Sequence, residues 1–88
     1  MQEQIFLNGS FVSKTDAKIS IMDRGFLFGD GVYELIPVYN GKPFLLDKHL
    51  SRLNKSLALI EMKNNLSDDL EIEKIVNDVI DKNKFKDH

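Results

Sequence analysis

The sequence predicts an α+β domain, with an antiparallel sheet and two helices packed on one face of it. Segments of strand-like composition occupy the first half of the chain, and segments of helical periodicity occupy the second. Two Asn-Gly dipeptides, Asn8-Gly9 and Asn40-Gly41, each separate apolar stretches, which is typical of tight β-hairpins. Strands followed by helices favour this layered arrangement over alternating β-α-β units.

Size and composition limit the classes of function. With 88 residues there is room for one domain, residues 1–88, with a modest core. The chain has no cysteine, which excludes disulfides and thiol catalysis and fits a cytoplasmic location. A net charge of -2 with dispersed Lys and Arg indicates neither a nucleic-acid nor a membrane partner. No stretch is apolar for long enough to span a bilayer.

The first predicted elements are extended. Apolar residues flank Asn8-Gly9, so residues 5–12 should form a hairpin with a type I′ turn. The segment AKISIM, residues 17–22, alternates apolar and polar side chains, which predicts a short strand. Both segments lead into the glycine-rich stretch DRGFLFGDGVYE, residues 23–34.

The three glycines of that stretch are Gly25, Gly29 and Gly31. They resemble a phosphate-binding loop only superficially, because a dinucleotide fingerprint requires a following helix and here a strand-like segment follows. From the residues alone, the stretch is interpreted as a tight turn that leads into a strand.

The segment GVYELIPVYNGKPFLL, residues 31–46, has the strongest strand composition. Pro37 and Pro43 cannot donate to a ladder, so we expect edges, bulges or strand ends there. The two-residue period places Tyr33 and Leu35 on one face. The other face carries Val32, Glu34 and Ile36.

Two amphipathic helices follow. The first has Asp47 as its predicted N-cap, and His49, Arg52 and Ser56 lie beside its apolar stripe. That stripe consists of Leu46, Leu50, Leu53, Leu57 and Ile60. The second helix is predicted to begin near Ser67, with acidic residues in its first turn. Its stripe consists of Ile72, Ile75, Val76, Val79 and Ile80.

Few residues point to chemistry on their own. Arg52 can hold a phosphate through two parallel hydrogen bonds, although a solvated helix face explains it equally well. His49 has no second ligand at metal-binding spacing, so we interpret it as a surface histidine and expect no metal site. The Tyr33 hydroxyl could bind a carboxylate, or it could be a core group satisfied locally.

In combination these residues form a recognisable pattern. Residues 23–60 resemble the N-terminal region of the fold-type IV pyridoxal-phosphate enzymes, which include D-amino acid aminotransferases, branched-chain aminotransferases and aminodeoxychorismate lyases. The run DRGFLFGDGVYE followed by VYNGKPFLLDKHLSRL is most similar to the D-amino acid aminotransferase branch. The hairpin over residues 5–12 also fits the start of that family.

The resemblance implies a role for each candidate residue. Arg52 would hold the phosphate of pyridoxal 5′-phosphate, and the Tyr33 hydroxyl would bind the substrate carboxylate. Leu35 would line the substrate side of the pocket. The substrates would be an amino acid and a 2-oxo acid, and the enzyme would be a homodimer. Pro37 departs from the polar or charged residue usual in that strand of the family.

The resemblance also implies that the chain is the N-terminal portion of a longer enzyme. Family members extend well beyond position 88, and their Schiff-base lysine lies in that later domain. We therefore expect no catalytic residue in this chain, no transamination by it alone, and cofactor binding only in the full-length enzyme. Three hypotheses follow: a D-amino acid aminotransferase such as one acting on D-alanine, an aminodeoxychorismate lyase or branched-chain aminotransferase, and a non-catalytic interaction module that retains the fold.

Overall fold

The computed structural model describes residues 3–62 and 68–88. Its elements, in chain order, are β1 (Gln4–Leu7), β2 (Ser10–Ser13), α1 (Arg24–Phe28), β3 (Val38–Tyr39), β4 (Lys42–Pro43), α2 (Leu46–Leu59) and α3 (Asp69–Asn83), with a 3-10 turn, Lys14–Asp16, after β2. The mixed α+β class, the antiparallel pairing and the two main helices are confirmed. No helix in the described ranges is long and apolar enough to cross a membrane.

The N-terminal hairpin is confirmed. Strands β1 and β2 pair antiparallel, with Phe6 opposite Phe11. Asn8 and Gly9 have φ angles of 50° and 90°, the positive values that a type I′ turn requires at both central residues. The rings of Phe6 and Phe11 meet edge to face with their centroids 5.1 Å apart, which stabilises the pair across the strands.

The second hairpin forms a separate sheet, so the expectation of one continuous sheet is wrong. Strands β3 and β4 pair with Val38 opposite Pro43, around a turn in which Asn40 and Gly41 have positive φ. The other edge of β3 meets the C-terminal tail: the Val38 amide donates to the His88 carbonyl at 3.0 Å, and the His88 amide donates back at 2.9 Å. Because the tail takes this edge, β3 cannot join the first hairpin there.

The predicted strand over residues 17–22 is also wrong. Ser20 instead closes a turn: its carbonyl accepts from the Asp23 amide at 3.1 Å, and its hydroxyl accepts from the Met22 amide at 3.0 Å. The isoleucines at 19 and 21 are exposed, at 57% and 73%. Within the described residues this segment has no neighbouring strand. Alternation without a pairing partner does not make a strand.

The glycine-rich stretch contains a helix where we predicted only a tight turn. Helix α1 is capped by Asp23, whose carboxylate accepts from the Gly25 amide at 2.8 Å. It ends at Gly29, which has a φ of 71° and donates its amide to the Gly25 carbonyl at 3.1 Å. The left-handed conformation is what this glycine contributes to the motif.

Residues 31–36 have the predicted faces without the predicted ladder. Tyr33 and Leu35 are 87% and 80% exposed. The alternate positions, Val32, Glu34 and Ile36, are partly buried. The inward face is covered by side chains of α2, to which Glu34 is hydrogen-bonded, and Ile36 packs against the apolar cluster described below. Helix contacts therefore impose the alternation that a partner strand would otherwise impose.

The start of the first long helix differs from prediction. The N-cap of α2 is Leu45, in the left-handed region with a φ of 54°, and the predicted cap Asp47 lies inside the first turn. The N-cap of α3 is Asp68, whose carboxylate accepts from the Glu71 amide at 2.9 Å. The predicted start near Ser67 lies outside the described residues.

The core lies between the two long helices. Leu46 and Leu50 of α2 pack with Ile72 of α3, and this cluster is completed by Ile36, Leu53 and Val76. Val38 and Ile80 are also buried, whereas Ile60 at the end of the α2 stripe is 46% exposed.

Asn83 of α3 joins the first hairpin to this unit by accepting from the Gln4 amide at 2.7 Å and donating to the Gln4 carbonyl at 2.9 Å. The side-chain amide of Asn83 thus makes with Gln4, the first residue of β1, the two hydrogen bonds that the backbone of a neighbouring strand would make.

Candidate functional site

The described residues place three polar side chains together where the 31–36 segment crosses α2. Arg52 binds the Glu34 carboxylate with two hydrogen bonds, from Nε to Oε2 at 2.8 Å and from Nη2 to Oε1 at 2.7 Å. His49 Nδ1 lies 2.8 Å from Glu34 Oε1. Because a carboxylate only accepts, His49 Nδ1 carries the proton and donates. Glu34 is therefore held by two side chains of one helix.

The positions of these three side chains follow from the helical period of α2 and from the two-residue period of the extended segment. His49 and Arg52 lie at i and i+3, so they project from the same surface of α2. Glu34 is on the inward face of the extended segment, at the position between Val32 and Ile36. The crossing of the two elements brings the carboxylate against the helix, and its side chain is only 9% exposed.

The pairing changes the acidity of both charged partners. Hydrogen bonds from Arg52, and then from His49, lower the pKa of Glu34 from 4.5 to about 2. The hydrogen bonds to Glu34, together with its negative charge, raise the pKa of Arg52 above its ordinary value. Glu34 is consequently a carboxylate at any physiological pH.

Two sequence interpretations change at this cluster. His49 is not a surface histidine, since its side chain is 14% exposed and bonded to Glu34. The role of Glu34 was missed altogether. The available signal was a carboxylate on the apolar face of a strand-like segment, because a charge in such a position requires a partner.

The three predicted site residues line one concavity. It has a volume of about 460 Å³ and is lined by Tyr33, Glu34, Leu35 and Arg52. Tyr33 and Leu35 project outward beside the ion pair, on the face opposite to Val32 and Ile36. The structure thus brings Arg52, Tyr33 and Leu35 together, while their roles in binding stay predictions.

The donors of this concavity fit a phosphate group. Glu34 uses the Nε and Nη2 side of the Arg52 guanidinium, and Nη1 makes no hydrogen bond to any residue in the described part of the chain. The Arg52 side chain is 64% exposed, so its outer edge is accessible. That edge presents two parallel N–H groups, the geometry that a phosphate accepts.

Other kinds of site have less support. No lysine is among the residues that line the concavity. Within residues 3–62 and 68–88, no three His, Asp or Glu side chains are grouped so that they could hold a metal ion. The chemistry available here is therefore anion binding by Arg52 next to one phenol and one apolar side chain.

Known proteins resemble the chain over the region that contains this site. The family model for class IV amino-transferases matches residues 31–88. The D-alanine aminotransferase of Staphylococcus aureus (strain N315) is 52% identical over 65 residues, which are 74% of this chain and 23% of that enzyme. The D-alanine aminotransferase of Bacillus licheniformis is 38% identical over 84 residues, which are 96% of this chain and 29% of the relative.

The chain spans about a quarter of the length of these relatives. The match to the family model nevertheless extends over more than half of the chain and includes Tyr33, Glu34, Leu35 and Arg52. From this match, we conclude that the chain belongs to the class IV aminotransferase family.

Proposed function

We propose that the chain is the N-terminal part of a pyridoxal-phosphate-dependent D-alanine aminotransferase, which transfers an amino group from D-alanine to a 2-oxo acid. The names of the relatives support this choice of substrate. The observation that carries the proposal is the concavity shared by Arg52, Tyr33 and Leu35, the residues to which the family resemblance assigns binding roles.

Each lining residue has one task in this proposal. The free edge of Arg52 binds the cofactor phosphate, and the Tyr33 hydroxyl donates to the substrate carboxylate. Leu35 supplies an apolar wall beside the substrate side chain. The cofactor, when bound, supplies an electron sink for bond changes at the amino-acid α-carbon.

Further expectations belong to the whole enzyme. The 88-residue chain should not transaminate alone, because no lysine lines its concavity and the cofactor chemistry needs a covalent lysine anchor. We propose that a lysine-bearing domain of the full-length enzyme completes the site, and that the enzyme acts as a cytoplasmic homodimer on an amino acid and a 2-oxo acid.

A chimera tests the proposal. This chain would replace the matching stretch of the Staphylococcus aureus D-alanine aminotransferase, to which it is 52% identical. We expect the chimera to bind the cofactor and to transfer the amino group of D-alanine to a 2-oxo acid. A folded, cofactor-loaded chimera that turns over L-leucine but not D-alanine would contradict the substrate assignment.

The same chimera evaluates the alternatives within the family. A branched-chain aminotransferase chain would favour L-leucine, and a lyase chain would impair transamination of both amino acids while cofactor binding persists. Arg52→Ala in the chimera should weaken cofactor binding in either case. Tight cofactor binding by this variant would contradict the assignment of Arg52 to the phosphate.

A non-catalytic interaction module is favoured by one observation, the exposure of large apolar side chains. Phe26 and Phe28 are 67% and 66% exposed, in addition to the outward pair Tyr33 and Leu35. Such a surface is typical of a face that another polypeptide covers. If the chimera folds and cannot bind the cofactor, this alternative replaces the enzymatic one.

A further inference from the structure

We infer that Glu34 is a positioning residue for phosphate binding: it holds the Arg52 guanidinium by one edge and thereby directs the other edge at the anion. The inference rests on the proposed function, in which Arg52 binds the cofactor phosphate. The family resemblance assigned no role to Glu34.

The guanidinium of Arg52 has two hydrogen-bonding edges, and Glu34 binds only one of them. An arginine side chain can form parallel hydrogen bonds along its Nε–Nη2 edge or along its Nη1–Nη2 edge. Glu34 occupies the first edge with both carboxylate oxygens, at 2.8 and 2.7 Å. Nη2 also lies 3.2 Å from His49 Nδ1, which cannot accept a hydrogen bond because it carries the proton donated to Glu34. Since each Nη nitrogen carries two protons, Nη1 and the second proton of Nη2 remain for a phosphate.

Glu34 is itself fixed, which is what a positioning residue requires. Its side chain is 9% exposed and accepts a further hydrogen bond from His49, whose ring is 14% exposed. Its neighbour Ile36 packs on the core cluster. Arg52, by contrast, is 64% exposed and would be free to adopt many rotamers without this contact. The ordered carboxylate therefore limits the conformations of a mobile cation.

The sign of the effect separates positioning from simple electrostatics. A carboxylate beside Arg52 reduces the positive field that a phosphate experiences, so removing its charge should strengthen phosphate binding if charge alone mattered. If Glu34 instead preorganises Arg52, removing the carboxylate should weaken phosphate binding, because the rotamer entropy of the arginine is then lost on binding.

The test uses the chimera introduced above, which carries the complete site, and compares it with its Glu34→Gln variant by NMR. The Arg52 Nε–H resonance is followed without ligand and then during titration with inorganic phosphate and with pyridoxal 5′-phosphate. Glu61→Gln is the matched control, because it removes the same charge and Glu61 has no hydrogen bond or ion pair with Arg52. Glu34→Asp is a second variant, which keeps the charge and withdraws the carboxylate by one methylene.

We expect Glu34→Gln to speed the solvent exchange of Arg52 Nε–H and to weaken phosphate binding about tenfold, a change set by the rotamer freedom regained by arginine. Glu34→Asp should act in the same direction, and Glu61→Gln should change neither quantity. If Glu34→Gln does not fold, the exchange of Arg52 Nε–H and the phosphate affinity of Glu34→Asp test the positioning role.

Two different failures are distinguishable. Unchanged exchange of Arg52 Nε–H, or tighter phosphate binding in Glu34→Gln, overturns the positioning role and leaves the proposed function intact. If neither phosphate nor pyridoxal 5′-phosphate perturbs Arg52 in the otherwise unsubstituted chimera, Arg52 is not the phosphate ligand, and the site assignment fails together with this inference.

Discussion

Glu34 has the most altered acidity in the described chain, and the cause is local. Two donors from one helix surround a carboxylate that is largely shielded from water. Its pKa of about 2 lies below the ordinary 4.5, so folding favours its ionised form. The stabilisation is therefore complete above about pH 4.5 and is lost as the pH falls toward 2.

The first prediction concerns this pH dependence. The free energy of unfolding of the chain should exceed that of Glu34→Gln above about pH 4.5, and the difference should shrink as the pH falls toward 2. Urea unfolding at a series of pH values measures it. The other carboxylates titrate in both proteins, so their effects cancel in the difference. A difference that stays constant with pH would contradict the pairing.

The second prediction concerns the phenol of the concavity. Tyr33→Phe, made in the chimera, should raise the KM for D-alanine about tenfold, which corresponds to the loss of one hydrogen bond to a charged group. Tyr39→Phe is the control, because Tyr39 is also exposed, at 55%, and does not line the concavity. Equal KM values for the two variants would remove Tyr33 from the substrate site.

At the scale of elements, α2 performs two tasks on two faces. Its leucines pack on α3, and its polar face holds Glu34. The apolar period of the helix was readable in the sequence, because the period follows from helix geometry. The start of the helix could not be predicted from the sequence. Its N-cap, Leu45, adopts a left-handed conformation that a leucine rarely takes, and no side-chain cap explains it.

The third prediction follows from the buried face of α2. Leu50→Ala should lower the free energy of unfolding by about 2–5 kcal/mol, because Leu50 is only 3% exposed and the substitution leaves a cavity. Leu59→Ala should change it by less than about 0.5 kcal/mol, since Leu59 is 85% exposed. Chemical denaturation compares the two. Equal losses of unfolding free energy in the two variants would contradict the assignment of Leu50 to the core.

The fourth prediction concerns the end of α3. Lys84 closes this helix with a φ of 55°, a conformation that glycine adopts without strain. Lys84→Gly should therefore raise the free energy of unfolding by roughly 0.5–1 kcal/mol. Lys74→Gly, in the interior of the same helix, should lower it by about 1 kcal/mol. A loss of stability in Lys84→Gly would show that the helix does not end in this conformation.

At the scale of the whole molecule, little of the apolar content is buried. Among residues 3–62 and 68–88, the buried core consists of Val38, Leu46, Leu50, Ile72 and Ile80. Large apolar side chains remain exposed, among them Tyr33 and Leu35 at the candidate site and Phe26 and Phe28 of α1. A surface of this kind promotes self-association or the binding of hydrophobic dyes.

The fifth prediction tests this exposed surface. The double variant Tyr33→Ser/Leu35→Ser should bind less of a hydrophobic dye and should self-associate less than the unsubstituted chain, because both side chains are at least 80% exposed. Leu70→Ser, on α3 and 74% exposed, is the control. Fluorescence and sedimentation measure the two effects. If the control acts as strongly as the double variant, the outward face of residues 31–36 is not the associating surface.

Local signals in the sequence predicted what depends on neighbouring residues. Asn8-Gly9 and Asn40-Gly41 gave correct hairpins, because positive φ at both turn positions is a property of those residues. The exposed and inward faces of residues 31–36 were also predicted, from the two-residue period. The family followed from the motif over residues 23–60, and the match of the family model confirms it.

Local sequence patterns could not predict the contacts between segments that are distant in the chain. Pairing decides whether an alternating segment becomes a strand, so residues 17–22 and 31–36 were both predicted as strands and neither has a ladder. The edge of β3 is taken by the C-terminal tail, which splits the expected sheet in two. His49 and Arg52 became partners of Glu34 only because α2 crosses the extended segment there. The sequence motif thus identified Arg52, whereas the packing of elements that are distant in the chain brought the Glu34 carboxylate into contact with it.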